Sequence, residues 1–285
     1  MFINWNELSA LNLSIRVDYL LYSAAVLGLH FLASATLWHR LTVLNHASIP
    51  LPDAISAWAY SILGKYVPGK IFLVIARAGH YSRHGIPSAS IAVCCFLELL
   101  LQLLAATAIF AATLPLLRGD SISGLGMTGF AATATVLLVL SNPRILERIS
   151  NAILQVLKKE PIAITVKHKH LLTLFLAYIL NCLLLGAAFL LLVRSVYPVD
   201  LDRFLYLTSS FLLASWIGIF SLITPGGLGV REGVLFVALQ AIMPAPLAAG
   251  VTLLARLWAT SGELAFAGLA RLMLRAKVQG NVESS

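Results

Sequence analysis

Two short stretches of this sequence combine helix-breaking residues with charge. SLITPGGLGVREG at 221–233 and KYVPGK at 65–70 each hold a Pro-Gly pair beside basic residues. A helix that begins after such a break presents unpaired N–H groups and the positive end of its dipole, and glycine lets an anion approach the backbone. These stretches therefore predict a phosphate-binding site. The candidate substrate-binding residues are Lys65, Pro68, Gly69, Lys70, Arg77, Pro225, Gly226, Gly227, Gly229, Arg231 and Arg256.

Three carboxylates accompany these cations: Glu98, Glu232 and Glu263. Glu98 and Arg256 each fall near the middle of an apolar run, where a lone charge is costly, so they are candidates to pair with one another. Glu263 follows Arg256 by two helical turns on the same face. Two roles stay open for these carboxylates: they fix helix register as buried ion pairs, or they titrate and couple transport to a cation.

Histidines provide a weaker signal. His80 and His84 have the spacing of metal ligands, but no third ligand is evident from the sequence, so we expect a wet interface without a metal. Asp53 and these histidines are scattered along the chain, and no compact catalytic triad is seen. The only loop resembling a nucleotide-binding one, SILGKY, is too short to hold ATP. We therefore expect no cofactor.

The elements that must position these residues are membrane helices. Of the 285 residues, 59% are hydrophobic and 11% charged, against about 25% charged in soluble domains. Apolar runs at about 17–38, 87–114, 122–141, 171–193 and 246–273 are each long enough to span a bilayer. The N-terminus does not resemble a removable signal peptide. The net charge of +8 has no basic soluble module behind it, which argues against nucleic-acid binding.

Regions 51–82 and 203–243 break this pattern. Each holds two helical segments around a Pro-Gly break, and the second segment of the first region is too short to cross. Irregular backbone at membrane depth must line a cavity or be buried in protein, so we read both regions as re-entrant hairpins. A shift of 157 residues places Pro68-Gly69 on Pro225-Gly226 and Pro87 on Pro244, although chance alignment of prolines is an alternative. The predicted fold is an all-α polytopic membrane protein with two inverted repeats, each with a re-entrant, Pro-Gly-broken helical hairpin.

The domain organisation follows from this pattern. We expect one transmembrane domain over 1–285: repeat one at about 10–141, a linker with an interfacial helix at about 142–170, repeat two at about 171–275, and a polar tail at 276–285. Basic residues concentrate in the linker and the tail, which the positive-inside rule assigns to the cytoplasm. The predicted location is the cytoplasmic (inner) membrane, multi-pass, with the C-terminus inside and the N-terminus outside.

The broken stretches also carry a family resemblance. YVPGKIFLVIARAGHYSRHGIP, with Glu98 in the next span, and TPGGLGVREG, with Arg256 in the next span, resemble the flippase-like transmembrane domain of lysylphosphatidylglycerol synthases, the multiple peptide resistance factors. The resemblance covers roughly residues 10 to 275. It implies movement of a lipid with a charged or sugar head group across the bilayer. The sequence shows no aminoacyl-transferase domain after the last span, so we do not expect synthase activity.

The predicted function is a lipid flippase, not an enzyme. Its substrate would be a phosphate-bearing lipid: anionic, aminoacylated, or a polyprenyl-phosphate sugar. A homo-oligomer and a separate lipid-modifying enzyme are candidate protein partners. Three alternatives stay open: a membrane enzyme acting on a lipid phosphate or polyprenyl-linked sugar, a non-transporting scaffold subunit, and a purely structural role for the prolines and glycines in turning the hairpins.

The predicted topology is directly testable. Single cysteines near Asn12 and Gly119 should react with a membrane-impermeant maleimide added outside, whereas cysteines near Lys158 and Asn281 should react only after permeabilisation. An N-terminus labelled from the cytoplasm would contradict a re-entrant first hairpin, and would indicate a broken crossing there instead.

Overall fold

All regular secondary structure in the described parts of the chain is helical. The computed structural model describes residues 15–66, 71–114, 168–221 and 227–283, together with residues 128–129, 131–132, 135–136, 145, 147–148, 151–152 and 155. We name the main helices α1 (Val17–Leu44), α2 (Leu51–Leu63), α3 (Ile71–Ser82), α4 (Ser88–Thr113), α5 (His168–Arg194), α6 (Phe204–Phe220), α7 (Val230–Gln240) and α8 (Ala245–Glu283). Short 3-10 turns at Gly64–Tyr66 and Leu201–Arg203 follow α2 and precede α6.

Several of these helices can cross a membrane. Among the described residues, four helical segments are long and apolar enough: Val17–Leu44, Ser88–Thr113, Lys169–Arg194 and Leu201–Phe220. Three coincide with predicted spans, which confirms an all-α, multi-pass membrane protein. The predicted span at 122–141 and most of the linker with its interfacial helix lie outside the described residues. Region 246–273 is one continuous helix within α8, but the charges of Arg256 and Glu263 keep it out of this apolar set.

The first broken region forms an antiparallel helical hairpin of α2 and α3. A Cβ placed on Gly64 would lie 2.9 Å from the backbone N of Leu73, so the two helices touch near the tip. Further along, Arg77 Nε donates to Ser61 Oγ at 2.7 Å. Residues later in α3 therefore contact residues earlier in α2, which is the antiparallel packing of a hairpin. The 13 residues of α2 are too few to cross a bilayer core by themselves.

The second broken region forms a matching hairpin of α6 and α7. Near the tip, a Cβ on Gly227 would lie 2.7 Å from the Cα of Gly218. Near the open end, the Tyr206 hydroxyl donates to the Ala238 carbonyl at 2.8 Å. Unlike α2, α6 with its preceding turn is long enough to cross, so re-entry of this hairpin stays a prediction.

Helices α1 and α5 pack antiparallel through a buried polar seam. Ser23 Oγ donates to the Ala188 carbonyl at 2.7 Å. About two turns further on, His30 Nδ1 lies 3.0 Å from Asn181 Oδ1, and the amide of the same Asn181 donates to Ser34 Oγ at 2.8 Å. These bonds satisfy polar groups that would otherwise be costly inside an apolar interface.

The two halves of the chain interlock. Among the main described helices, each half has the order long helix, hairpin, long helix, and the first limb of each hairpin packs against the long helix that follows the other hairpin: α2 on α8, and α6 on α4. Thr113 Oγ1 and Ser209 Oγ lie 2.6 Å apart at the α4–α6 contact. Because of this exchange, the tip of the first hairpin reaches a helix of the second half.

Glycine substitutions test the second hairpin. Gly227 has φ of +71° and touches Gly218, whereas Gly229 has φ of +82° but open space around its Cα. Gly227→Ala should therefore lower folded yield and thermal stability clearly more than Gly229→Ala, which adds only left-handed strain of about 1 to 3 kcal/mol. The measurement is the monodisperse fraction and the melting temperature in detergent.

Gly250→Ala is the matched control for these substitutions. Gly250 lies inside α8 with nothing near its Cα, so alanine should be tolerated there. Equal losses for Gly227→Ala and Gly229→Ala would show that the close contact with Gly218 is not what holds this hairpin together.

Candidate functional site

The tip of the first hairpin is tied to the middle of α8. Lys65, in the 3-10 turn that ends α2, forms an ion pair with Glu263. The neighbouring Tyr66 hydroxyl donates to the other carboxylate oxygen of Glu263 at 2.9 Å and lies 3.1 Å from Thr260 Oγ1. Glu263 is nearly buried, whereas the Lys65 side chain is one-third exposed (33%). One face of the lysine is therefore accessible from outside the protein.

The start of the second hairpin's return limb is tied to the same helix. Arg256 Nη1 donates to Glu232 Oε1 at 3.1 Å, and the other oxygen of Glu232 accepts from the backbone N–H of Gly229 at 2.7 Å. Glu232 therefore both caps α7 and holds Arg256. Arg256 and Glu263 are two turns apart on one face of α8, about 10 Å along its axis. Both hairpins thus meet α8 side by side.

Arg231 lies near these ion pairs, but its contact is with an aromatic ring. Its guanidinium lies 4.9 Å from the centre of the Phe211 ring, on the first limb of the same hairpin. Within the described part of the chain, it has no hydrogen bond and no ion pair. The charges of Arg256, Glu263 and Glu232 all act on it. Cation–π contact with one ring leaves its five N–H donors available.

We call Lys65, Arg231, Arg256, Glu232 and Glu263 the cationic cluster. The charges of Arg231 and Arg256 both act on Lys65, so the three cations lie in one region of the protein. Three cations face two carboxylates, so the cluster carries an excess of one positive charge. Lys65, Arg231, Arg256 and Glu232 are partly exposed, and Glu263 is buried. Such a cluster is suited to an anionic oxygen group, for which arginine supplies a planar fork of donors.

Arg77 and Glu98 lie elsewhere, in a closed network. They form an ion pair in which the Arg77 side chain is 2% exposed. Trp58 Nε1 donates to Glu98 Oε1 at 3.0 Å, and the Arg77 guanidinium lies 4.1 Å from the centre of the Trp38 ring. Glu98 and Arg256, which the sequence offered as candidates to pair, are therefore each paired with another residue. Glu98 and Glu232 each meet a cation of their own half, because each hairpin's second limb packs beside the helix that follows it, whereas Glu263 meets Lys65 of the first half.

The remaining predicted residues divide in two. Pro68, Gly69, Lys70, Pro225 and Gly226 lie outside the described residues. Gly227 and Gly229 are described, and both adopt left-handed backbone conformations that shape the start of α7. Gly227 packs against Gly218, which supports the turning role that the sequence had left open for it.

Sequence reasoning missed three members of this region. Thr260 falls one turn from both Arg256 and Glu263, so helical periodicity alone could have placed it there. Tyr66 is next to Lys65, but nothing in the sequence showed that it would face a carboxylate. Phe211 gave no sequence signal, because its contact with Arg231 depends on how α6 packs against α7.

Asp53 was also missed. It was judged to be scattered from His80 and His84, but the α2–α3 hairpin brings the three side chains together, with their ligand atoms within 4.8 Å of one another. Residues far apart in sequence on the two limbs of a hairpin can lie close together in space, and the sequence interpretation did not take this into account for Asp53.

Comparison with known proteins identifies the family. The family profile described as "Lysylphosphatidylglycerol synthase TM region" matches residues 1–261. The chain belongs to this family. A comparison with curated proteins gave no match. The match includes the cationic cluster except Glu263, which lies two residues beyond its end. Family membership, together with the apolar helices, makes this a multi-pass membrane protein of a lipid-handling family.

The Arg77–Glu98 pair should behave as a structural lock. Arg77→Met and Glu98→Gln should each destabilise the protein by about 3 to 5 kcal/mol, because each leaves a buried charge unpaired. The double variant should lose much less than the sum of the two. The measurement is a double-mutant cycle on unfolding in detergent.

An exposed pair provides the matched control for this cycle. Arg203 and Asp202 are 3.9 Å apart, with side chains 53% and 71% exposed, so Arg203→Met and Asp202→Asn should couple by less than about 1 kcal/mol. Additive losses at Arg77 and Glu98 would show that their pairing does not hold this part of the fold.

Proposed function

We propose that this chain is a lipid flippase that moves a phosphate-bearing lipid across the membrane, with the cationic cluster as its head-group site. The observation that carries the proposal is Arg231: a cation inside a membrane domain with no ionic partner among the described residues, beside Lys65 and Arg256, each of which is in an ion pair. Intramembrane cations are functional by default because they are costly to keep. Membership of a lipid-handling family supports the same function.

The binding chemistry follows from the three cations. No described residue accepts a hydrogen bond from the Arg231 guanidinium, so its edges are suited to grip two phosphate oxygens, and a phosphate would supply the negative charge that the cluster lacks. Lys65 and Arg256 are each paired, so they would contribute mainly through their charge. The first turn of α7 adds the positive end of a helix dipole, which also favours an anion. Anionic phospholipids, aminoacylated phospholipids and polyprenyl-phosphate sugars all offer this phosphate.

The movement would use two inverted repeats with re-entrant hairpins. Three features support this arrangement: the repeated element order, the antiparallel packing of α1 on α5, and the exchange of hairpin limbs between the halves. Transporters built in this way hold substrate between the repeats and rock one against the other. The ion pairs of Lys65 with Glu263 and of Arg256 with Glu232 join both hairpins to α8, so they are placed to loosen and re-form during such a movement.

The proposed cycle is binding and release, without a covalent step at the cluster. The carboxylates Glu232 and Glu263 would compete with the lipid phosphate for the same cations, which lets the lipid leave. Transport would be downhill, driven by an ion gradient, or drawn by later consumption of the lipid. In the proposed setting the protein lies in the cytoplasmic membrane with its C-terminus inside, and serves a separate enzyme that makes or uses the lipid.

Substitution of Arg231 tests this function. In vesicles reconstituted with fluorescent lipids, Arg231→Ala should reduce flipping of a phosphate-bearing analogue by at least about tenfold, since about 1.4 kcal/mol of lost binding already gives that factor. Arg231→Lys should retain only part of the rate, because an ammonium cannot grip phosphate bidentately. The movement of a neutral lipid analogue provides the reference for bilayer leakage.

Arg203→Ala is the matched control. Arg203 is an exposed arginine on the turn before α6, outside the cationic cluster, and its loss should leave the rate unchanged. Wild-type flipping of phosphate-bearing lipids by a well-folded Arg231→Ala variant would contradict the proposal. The cluster would then be a structural device that joins the hairpins to α8.

A further inference from the structure

Three potential metal ligands meet at the open end of the first hairpin. Asp53 lies in the first turn of α2, His80 in the last turn of α3, and His84 in the turn that follows α3. Each offers one ligand atom, and these atoms lie within 4.8 Å of one another. This end of the hairpin is opposite the tip that carries Lys65, so the group is separate from the cationic cluster.

The backbone on the histidine side is firmly set. Gly85 has φ of +76° and follows His84, and the N–H groups of Gly85 and Ile86 donate to the carbonyls of Ser82 and Tyr81 at 3.0 and 3.2 Å. This pattern is a Schellman motif, which ends a helix in one fixed geometry. Tyr81 itself is completely buried, and its hydroxyl accepts from Trp38 Nε1 at 2.9 Å. His80 and His84 therefore project from a rigid helix end.

The backbone on the aspartate side is also set. Pro50 precedes α2 in an extended conformation and Pro52 lies in its first turn, which restricts the backbone there. Asp53 is 9% exposed, His80 is half-buried and His84 is exposed. The group is therefore closed on the protein side and open on the other. A metal held there would have three protein ligands and a position left for water.

We propose that Asp53, His80 and His84 form a Zn²⁺ site. Two imidazoles with one carboxylate and an open position are a ligand set that zinc accepts, whereas Mg²⁺ and Ca²⁺ prefer oxygen ligands alone. Ligand atoms on a tetrahedral zinc are about 3.3 Å apart when the metal–ligand bonds are about 2.0 to 2.1 Å long. Because the three ligand atoms here lie within 4.8 Å of one another, side-chain movements of roughly an ångström would bring them to that distance. Arg83, next to His84 in the sequence, is exposed to solvent.

The site would clamp the two limbs of the hairpin at their outer ends. One ligand comes from α2 and two from the end of α3, so the metal would resist separation of the limbs. It would do so without touching the head-group site. This inference does not depend on the proposed flippase activity, because a bound metal can be measured directly.

Metal binding by the purified full chain tests the proposal. After removal of metal with a chelator, the wild-type protein should take up one Zn²⁺ per chain, measured by mass spectrometry of the metal. It should also show the visible absorption of a low-coordinate Co²⁺ complex when Co²⁺ is the probe. Zn²⁺ should raise the melting temperature, and Mg²⁺ at the same concentration should not.

Three variants complete the test. His84→Ala and Asp53→Asn should each weaken Zn²⁺ binding by at least about tenfold and remove the Co²⁺ signal. His46→Ala removes another exposed histidine, in the turn after α1, and should bind as the wild type does. Because His84 is exposed, its loss should not impair folding, which size-exclusion chromatography would verify.

Two results would overturn the zinc site. One is a wild-type chain that takes up no Zn²⁺ above the level of His84→Ala. The other is equal loss of binding in His46→Ala and His84→Ala, which would indicate adventitious binding to surface histidines.

Discussion

An ionised side chain is costly inside an apolar helical bundle, and three ion pairs offset this cost in the described part of the molecule. Arg77 meets Glu98, Lys65 meets Glu263, and Arg256 meets Glu232. Each pair joins a hairpin to a long helix. In each half, one pair links the second limb of the hairpin to the helix that follows, with the signs reversed between the halves. Because leaving one partner unpaired is expensive, these contacts fix where both broken hairpins sit.

The three ion pairs differ in how deeply they are buried. Arg77 and Glu98 are sealed among Trp38, Trp58 and Tyr81, so water and ligands cannot reach them. The pairs on α8 are less deeply buried and lie next to Arg231, whose guanidinium lies against the Phe211 ring. A sealed pair favours one arrangement. The proposed function would use a partly exposed pair beside a further cation to exchange a protein carboxylate for a ligand oxygen.

The hairpins act as two-ended devices. The tip of the first one brings Lys65 to α8, while its open end gathers Asp53, His80 and His84. Tyr81 lies between these regions and anchors α3 to Trp38 on α1. In the second hairpin, contact between Gly218 and Gly227 allows the limbs to approach closely enough for Arg231 to reach Phe211. In the second hairpin, glycines allow close packing of the limbs. In the first hairpin, polar side chains make the contacts at both ends.

The sequence by itself determined the membrane class, most of the long helices, the two hairpins and the cations near them. Those features depend on local properties: the length of apolar runs, and the inability of Pro-Gly to continue a helix. Only the tertiary structure decided which charges meet. Arg256 was one candidate partner for Glu98, which lies with Arg77, and Asp53 looked remote from His80, because pairing depends on which helices pack together and not on depth along a single helix. That choice is made by side-chain fit across the bundle, which one sequence does not encode in any local pattern.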